Sequence, residues 1–253
     1  MKKTLVAIGI AGLLTGCGMF GGHHAGGGHH KAHWGYHGDA GPEHWAELSE
    51  DYGLCGTGKA QSPINIEGEQ AGDLKPIEFH YQAASNPTVV NNGHTIQVNY
   101  PAGSYAVIGG KRYELLQFHF HSPSEHTVHG QHADMVAHLV HKADDGQLAV
   151  VGILFDKGAE NPTLKPVFDA MPKSKGETTV QASINAADLL PEERGYYHYT
   201  GSLTTPPCSE GVNWNVMKAH MPVSEQQVQA FTHIFDKSIR PVQPLNGRTI
   251  TEL

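Results

Sequence analysis

The five residues Gln117-Phe118-His119-Phe120-His121 alternate strictly between polar and aromatic side chains. Only a strand has a side-chain period of two. The run therefore predicts a strand with Gln117, His119 and His121 on one face and Phe118 and Phe120 on the other. Such a strand needs sheet partners, and the chain offers them. β-Branched or alternating runs cover 88–90, 95–100, 115–121, 135–141, 148–155 and 212–220, with Gly, Pro and Asn turn signals between them. Only 224–235 reads as a helix. Ser224 would cap it, Gln227 would complete a capping box, and Val228, Phe231 and Phe235 would share a face. No internal repeat is present. The expected fold is mostly β (α+β): a single domain built on a large, mainly antiparallel central β-sheet with a few peripheral helices.

The same alternation points to chemistry. Two imidazoles two residues apart on a strand can grip one ion. In the predicted strand 135–141, Val136, His138 and Val140 share a face, which places a third histidine between apolar neighbours. Neutral imidazoles suit zinc. Three protein ligands leave the fourth tetrahedral position open, the pattern of a catalytic site. Spacing alone does not distinguish this from coincidence, because a chain with 19 histidines produces such pairs by chance.

The N-terminus reads as an export signal. Lys2 and Lys3 precede a short apolar run over 5–14, too short to span a bilayer. It ends in Leu14-Thr15-Gly16-Cys17, which resembles the bacterial lipobox. By that resemblance residues 1–16 are a lipoprotein signal peptide and Cys17 carries lipid; the alternative is an ordinary signal with a chance cysteine. The expected location is outside the cytoplasm, as a periplasmic or cell-surface lipoprotein whose only membrane contact is its anchor. Residues 17–33 are then the lipidated Cys and a Gly/His-rich flexible tether. Its His23, His24, His29, His30 and His33 suit either a soluble spacer or a zinc-gathering arm. Three cysteines is an odd number for an exported chain. With Cys17 lipidated, Cys55 and Cys208 remain; an oxidising compartment favours a disulfide between them, and two buried thiols is the alternative. The formal net charge is −8 and no basic patch stands out, which argues against a nucleic-acid partner.

From about Trp34 to Ile250 the chain resembles the alpha carbonic anhydrases, especially the bacterial ones. The resemblance rests on HWGYHG at 33–38, GPEHW at 41–45, QSPINI at 61–66 and NNGHTIQV at 91–98. It continues with QFHFHSPSEHTV at 117–128, AHLVH at 137–141, GSLTTPPCSEGVNW at 201–214 and RPVQPLNGR at 240–248. Residues 34–253 are then the catalytic domain. The implied reaction is reversible hydration of carbon dioxide to bicarbonate and a proton, by hydroxide held on zinc. His119, His121 and His138 would hold that zinc, with Gln117 behind them. Thr204 would donate its hydrogen bond to Glu125, since a carboxylate can only accept. Thr205 would help bind bicarbonate. Val140, Val150, Leu203, Val212 and Trp214 would form the apolar wall for the substrate. Tyr36, Asn92 and Gln97 would line the wet side, where His94 occupies the family's proton-shuttle position. The resemblance also implies the Cys55–Cys208 pairing, inhibition by sulfonamides and small anions, and a monomer or homodimer. Taken residue by residue, His94 also reads as a surface histidine after a turn, Glu125 as a surface carboxylate, Thr204 as a turn residue before Pro206-Pro207, and Trp214 as core. The competing function is a catalytically weak zinc-binding or scaffold protein on the same fold; such relatives typically lose a zinc histidine, and all three are present here.

Two positions depart from the family pattern. Where the family usually has a glutamate two residues before the third zinc ligand, this chain has Val136. Asp134 shares that face but lies four residues from His138, too far along a strand to replace the carboxylate. Ser238 stands where many relatives have asparagine; its backbone carbonyl can still serve as an acceptor.

Overall fold

A computed structural model describes residues 32–253; the expected signal 1–16, Cys17 and the tether as far as Lys31 lie outside the described residues. The strand read at 117–121 is the end of a longer one. Eight main strands follow in chain order: β1 (Thr88–Asn91), β2 (Ile96–Asn99), β3 (Tyr105–Ile108), β4 (Lys111–His121), β5 (Met135–Lys142), β6 (Leu148–Lys157), β7 (Tyr196–Ser202) and β8 (Glu210–Met217). Among the described residues they belong to one thirteen-stranded sheet, in the order β1-β2-β4-β5-β6-β8-β7 with β3 against the start of β4. These pairings are antiparallel except β6 with β8. Parallel neighbours require a crossover connection. Here the crossover carries a short helix, α1 (Leu164–Asp169), and the whole of β7 before the chain returns as β8.

The register determines which residues meet. Gln97 of β2 lies opposite His119 of β4, His119 opposite His138 of β5, and His138 opposite Gly152 of β6. Val136 lies opposite His121 on one side and Leu154 on the other. The polar half of the alternating run therefore shares a face with His138. Phe118 and Phe120 point the other way and are fully buried with Leu139, Val151 and Ile153. Burial of each such side chain favours folding by about 1.5–3 kcal/mol. That face is covered by α1 and by α2 (Glu225–Thr232), whose Phe168 and Phe231 rings pack 5.1 and 6.3 Å from Phe120.

Helix α2 starts as its sequence requires. Ser224 Oγ accepts from the Gln227 amide at 3.2 Å, and Gln227 Oε1 accepts from the Ser224 amide at 3.0 Å. It stops earlier than the periodicity suggests. The Ile234 amide bonds back to Phe231 O, a tightened last turn, and Phe235 packs on the same core from beyond the helix end. Strand β7 was not read from the sequence. Its aromatic run YYHYTGS carries no clean alternation, and its burial is set by β8 beside it. Gly201 in β7 allows a close approach: a side chain there would collide with Ser62, whose hydroxyl pairs with Tyr199 Oη at 2.7 Å. Cys55 and Cys208 form a disulfide.

His141 sits on the core face of β5, fully buried, with Nε2 2.6 Å from Tyr81 Oη. Burial pulls its pKa down from the ordinary imidazole value to about 4. In the unfolded chain the ring regains its usual pKa, near 6.5. The unfolded state therefore binds more protons below that pH, and stability is lost as pH falls from about 6.5 toward 4. The contribution is on the order of 3 kcal/mol. His141→Gln keeps a partner for Tyr81 and cannot titrate. Urea unfolding across this pH range should show a shallower acid loss for the variant, by up to about one proton's worth of slope; equal slopes would assign the acid sensitivity to other groups.

Candidate metal centre and cavity

Three imidazoles converge where β4 and β5 pair. One nitrogen from each of His119, His121 and His138 lies within 4.8 Å of the others. His121 and His138 are buried, and the His119 ring lies deep in the same centre. Burial, and secondarily the neighbouring rings, hold the pKa values of His119 and His138 well below the ordinary value, so both are neutral and can ligate.

Hydrogen bonds fix which nitrogen each ring offers. His121 Nδ1 is 2.6 Å from Ser238 O. A carbonyl only accepts, so Nδ1 carries the proton and the Nε2 lone pair is free. That Nε2 is buried without a protein partner. His119 Nδ1 is 2.9 Å from Gln117 Oε1, which leaves its Nε2 free in the same way. The serine at 238 thus supplies the acceptor through its backbone. A buried imidazole lone pair without a donor is costly unless something binds it, and a set of three imidazole nitrogens suits zinc.

His138 is held differently. Its Nδ1 is 3.9 Å from Glu125 Oε2, beyond hydrogen-bond range, and its Nε2 is buried without a partner. No bond sets its tautomer. Its ring packs edge-on against Trp214, with centroids 4.9 Å apart. Val136 on the same strand face is fully buried in the apolar cluster that includes Trp214 and Tyr199. His126 packs on the same two rings, bonds Tyr199 Oη through Nε2 at 2.6 Å, and leaves its own Nδ1 buried and unpartnered. Asp134 is engaged elsewhere, accepting from the Lys157 amide at 2.8 Å.

Glu125 is fully buried beside the histidines. Its Oε1 accepts from the Arg240 amide at 2.9 Å, and its Oε2 has no hydrogen-bond partner. The Thr204–Glu125 bond that the resemblance implied is therefore not formed in this structure, although Thr204 is buried too. Arg240 was not singled out by sequence reasoning. Its buried guanidinium bonds Gln61 Oε1, Ser62 O and Cys55 O, so one residue ties Glu125 to the disulfide and to the 61–62 segment. His126 was missed as well. Both lie in quoted motifs, but their partners are distant in sequence.

Two environments flank the centre. Val150, Val212 and Trp214 are buried in one apolar cluster, with Val140 and Leu203 packed against it. On the other side a cavity of about 140 Å³ is lined by Tyr36, Asn92, His94 and Gln97 together with Gln117, His119, His121 and Thr205. His94 lies flat on Trp34, with centroids 3.7 Å apart. Burial, the Lys175 ammonium and His33 lower its pKa to about 4.

This combination defines a candidate metalloenzyme site: an imidazole triad set between an apolar wall and a polar cavity. The comparisons identify the family. The eukaryotic-type carbonic anhydrase profile matches residues 40–253. A carbonic anhydrase of Neisseria gonorrhoeae is 43% identical, aligned over 95% of this chain and 94% of that protein. One from a Nostoc species is 45% identical, over 87% and 85%. Among solved structures, a hyperthermostable carbonic anhydrase from a hydrothermal vent chimney superposes with a TM-score of 0.85 at 45% identity, covering 87% of this chain and all of that one. The Thermovibrio ammonificans alpha-carbonic anhydrase in complex with sulfanilamide gives 0.84 at 48%, covering 87% and 99%. The chain belongs to the alpha-class, or eukaryotic-type, carbonic anhydrases, a zinc-dependent family, and its reaction is the hydration of carbon dioxide.

The unpartnered nitrogens of His126 and His138 make Val136 a test of ligand orientation. A carboxylate at 136 brings two acceptor oxygens to the strand face that carries the buried, unpartnered His138 Nε2. Supporting partners of this kind are typically worth about 10–100-fold in metal affinity. Val136→Glu should slow zinc release to a chelator by about tenfold. Equal or faster release would show that packing against Trp214 already orients His138.

Proposed function

We propose that His119, His121 and His138 hold the zinc at which this chain hydrates carbon dioxide, and that His94 passes the released proton toward solvent. The observation that carries this reading is the bonding of two rings: His119 and His121 each give Nδ1–H to an oxygen, which turns both Nε2 atoms toward one point beside a cavity reaching His94. Zinc, when bound, acidifies its water and so supplies a nucleophile near neutral pH. The chain's own residues do the rest. Carbon dioxide is apolar and needs no charged anchor, so the Val150, Val212 and Trp214 surface, with Val140 and Leu203, suits it. Glu125, fixed by the Arg240 amide, keeps Oε2 free to accept. A Thr204 hydroxyl turned to that oxygen donates there and offers its own lone pair to the reacting water, which sets the direction of attack. Thr205 borders the cavity where bicarbonate forms. The cavity residues Tyr36, Asn92 and Gln97 lead from the centre to His94. Neutral there, His94 can accept a proton. Burial, and then Lys175 and His33, disfavour its cation, so a proton taken up does not stay there. The open ligand position also suits sulfonamides and small anions.

The reading extends to location. Residues 1–16 serve as signal, Cys17 as lipid anchor and 17–33 as tether for the catalytic domain 34–253, held outside the cytoplasm. It is supported by the Lys2-Lys3 start, the Leu14-Thr15-Gly16-Cys17 run and the Cys55–Cys208 disulfide, which persists in oxidising compartments.

His94→Ala should lower kcat by about tenfold to a hundredfold at low buffer and leave zinc content unchanged, with imidazole restoring part of the rate. Full activity at low buffer, or loss of zinc, contradicts the shuttle role. Cys17→Ser should move the protein from the membrane to the soluble fraction without changing its turnover; retention on membranes contradicts lipid anchoring.

A further inference from the structure

Zinc accounts for the free lone pair of His121, but two other buried ring nitrogens have no protein partner: Nδ1 of His126 and Nε2 of His138. Both side chains are almost completely buried. Both rings pack on Trp214, with centroids 4.6 and 4.9 Å from it. They lie 6.2 Å from each other and nearly perpendicular.

Hydrogen bonds decide which of these nitrogens carries hydrogen. Ser62 Oγ accepts from the Ser202 amide at 3.0 Å, so its own hydrogen goes to its other partner, Tyr199 Oη, at 2.7 Å. The Tyr199 hydroxyl hydrogen is then left for His126 Nε2, at 2.6 Å. A ring nitrogen that accepts carries no hydrogen, so the N–H of His126 is at Nδ1. His138 is oriented by the centre itself. Glu125 Oε2 lies 3.6 Å from His121 Nε2, the nitrogen free to ligate, and 3.9 Å from His138 Nδ1. His138 therefore turns Nδ1 toward the centre. A neutral imidazole that gives one nitrogen to a metal keeps its hydrogen on the other, here Nε2. Both unpartnered nitrogens are thus donors. They cannot satisfy one another, and each needs an acceptor.

The surroundings determine the kind of acceptor. Val136, Val150 and Val216 are buried in the cluster around Trp214. The indole and hydroxyl groups of that cluster are already used: Trp214 Nε1 donates to Ser202 O at 2.9 Å, and Tyr199 donates to His126. A water accepting from both rings would strand its own two hydrogens among these side chains, which is costly. A monatomic anion has no hydrogen to place. Its charge also has counterparts. The Arg240 guanidinium is buried, zinc adds two positive charges when bound, and Glu125 is the only buried carboxylate among the described residues. A buried ion is tolerated when it is both paired and hydrogen-bonded, and two N–H donors on one anion form charge-assisted bonds.

We propose, on the reading that His138 ligates zinc, that a chloride-sized halide ion sits between His126 Nδ1 and His138 Nε2 and steadies the third zinc ligand. This site is separate from the open position on the metal. The ion forms no covalent bond and takes no part in the reaction. His126 is then a positioning residue: Ser62 and Tyr199 fix its tautomer, and it acts on zinc only through the ion and His138.

The zinc-loaded chain is purified and crystallised with bromide as the only halide, and zinc and bromide are located by their anomalous scattering. Bromide should appear between the two rings, apart from zinc at the triad. Zinc release to a chelator is then timed in sodium bromide and in sodium methanesulfonate at equal ionic strength, for the native chain and for Val136→Glu. Methanesulfonate is too large for the site. The native chain should release zinc about tenfold more slowly in bromide. Val136→Glu carries its own acceptor oxygens on the His138 strand face, so its release should be the same in both salts. Density between the rings without an anomalous signal marks a water and overturns the ion, as does no density at all. Equal release from the native chain in both salts overturns the hold on His138. An equal salt dependence in both proteins also overturns it, because the halide would then act at the open position on zinc. If Val136→Glu does not fold, the diffraction result on the native chain decides alone. Zinc missing from the triad would mean that the metal reading itself fails.

Discussion

The structure depends on the pairing of β4 with β5. That antiparallel register sets His119 directly opposite His138 and brings His121 opposite Val136. A slip of one residue would turn every side chain of one strand to the other face and disperse the triad. What holds the register is the other face of the same strands. Phe118, Phe120 and Leu139 are fully buried against α1 and α2, and a slip would expose them. The hydrophobic core and the metal centre are two faces of one constraint.

The charge economy of the centre follows from burial. Neutral imidazoles are the form that ligates, and burial enforces that form on His119 and His138. Carbonyl acceptors then choose the nitrogen. Gln117 and Ser238 do so for His119 and His121. For His138 the chain substitutes packing for a hydrogen bond, between Trp214 and the Val136 cluster. The same cluster leaves the His126 Nδ1 unsatisfied. Two buried nitrogens without partners are a real cost.

The site is also anchored from outside the sheet. Arg240 joins the segment near Gln61 and Ser62, the disulfide loop at Cys55 and the carboxylate of Glu125 through four hydrogen bonds. The disulfide in turn ends at Cys208, whose amide bonds Thr205 O. The loop that carries Thr204 and Thr205 is thus tied to the residue that orients Glu125. The bond from Thr204 to Glu125 is the one link of that set left open here, with both side chains already buried.

The sequence by itself determined the strand at 117–121, because no other regular structure has a period of two. It determined the capped start of α2 through Ser224 and Gln227, and it marked His138 as a third histidine on a strand face. Strand β7 was hidden because its residues are selected by β8 beside it and show no pattern of their own. Helix α1 has six residues, too few for a period to show. Arg240 and His126 were legible as letters but not as parts of the site, since their partners lie far off along the chain. Only the tertiary structure decided that His94 borders the cavity at the metal centre, that Ser238 serves through its carbonyl, and that His126 Nδ1 and His138 Nε2 are buried without partners. Local periodicity follows from the backbone and is written in neighbouring residues. Hydrogen-bond satisfaction in a buried site depends on atoms that folding brings together from across the whole chain.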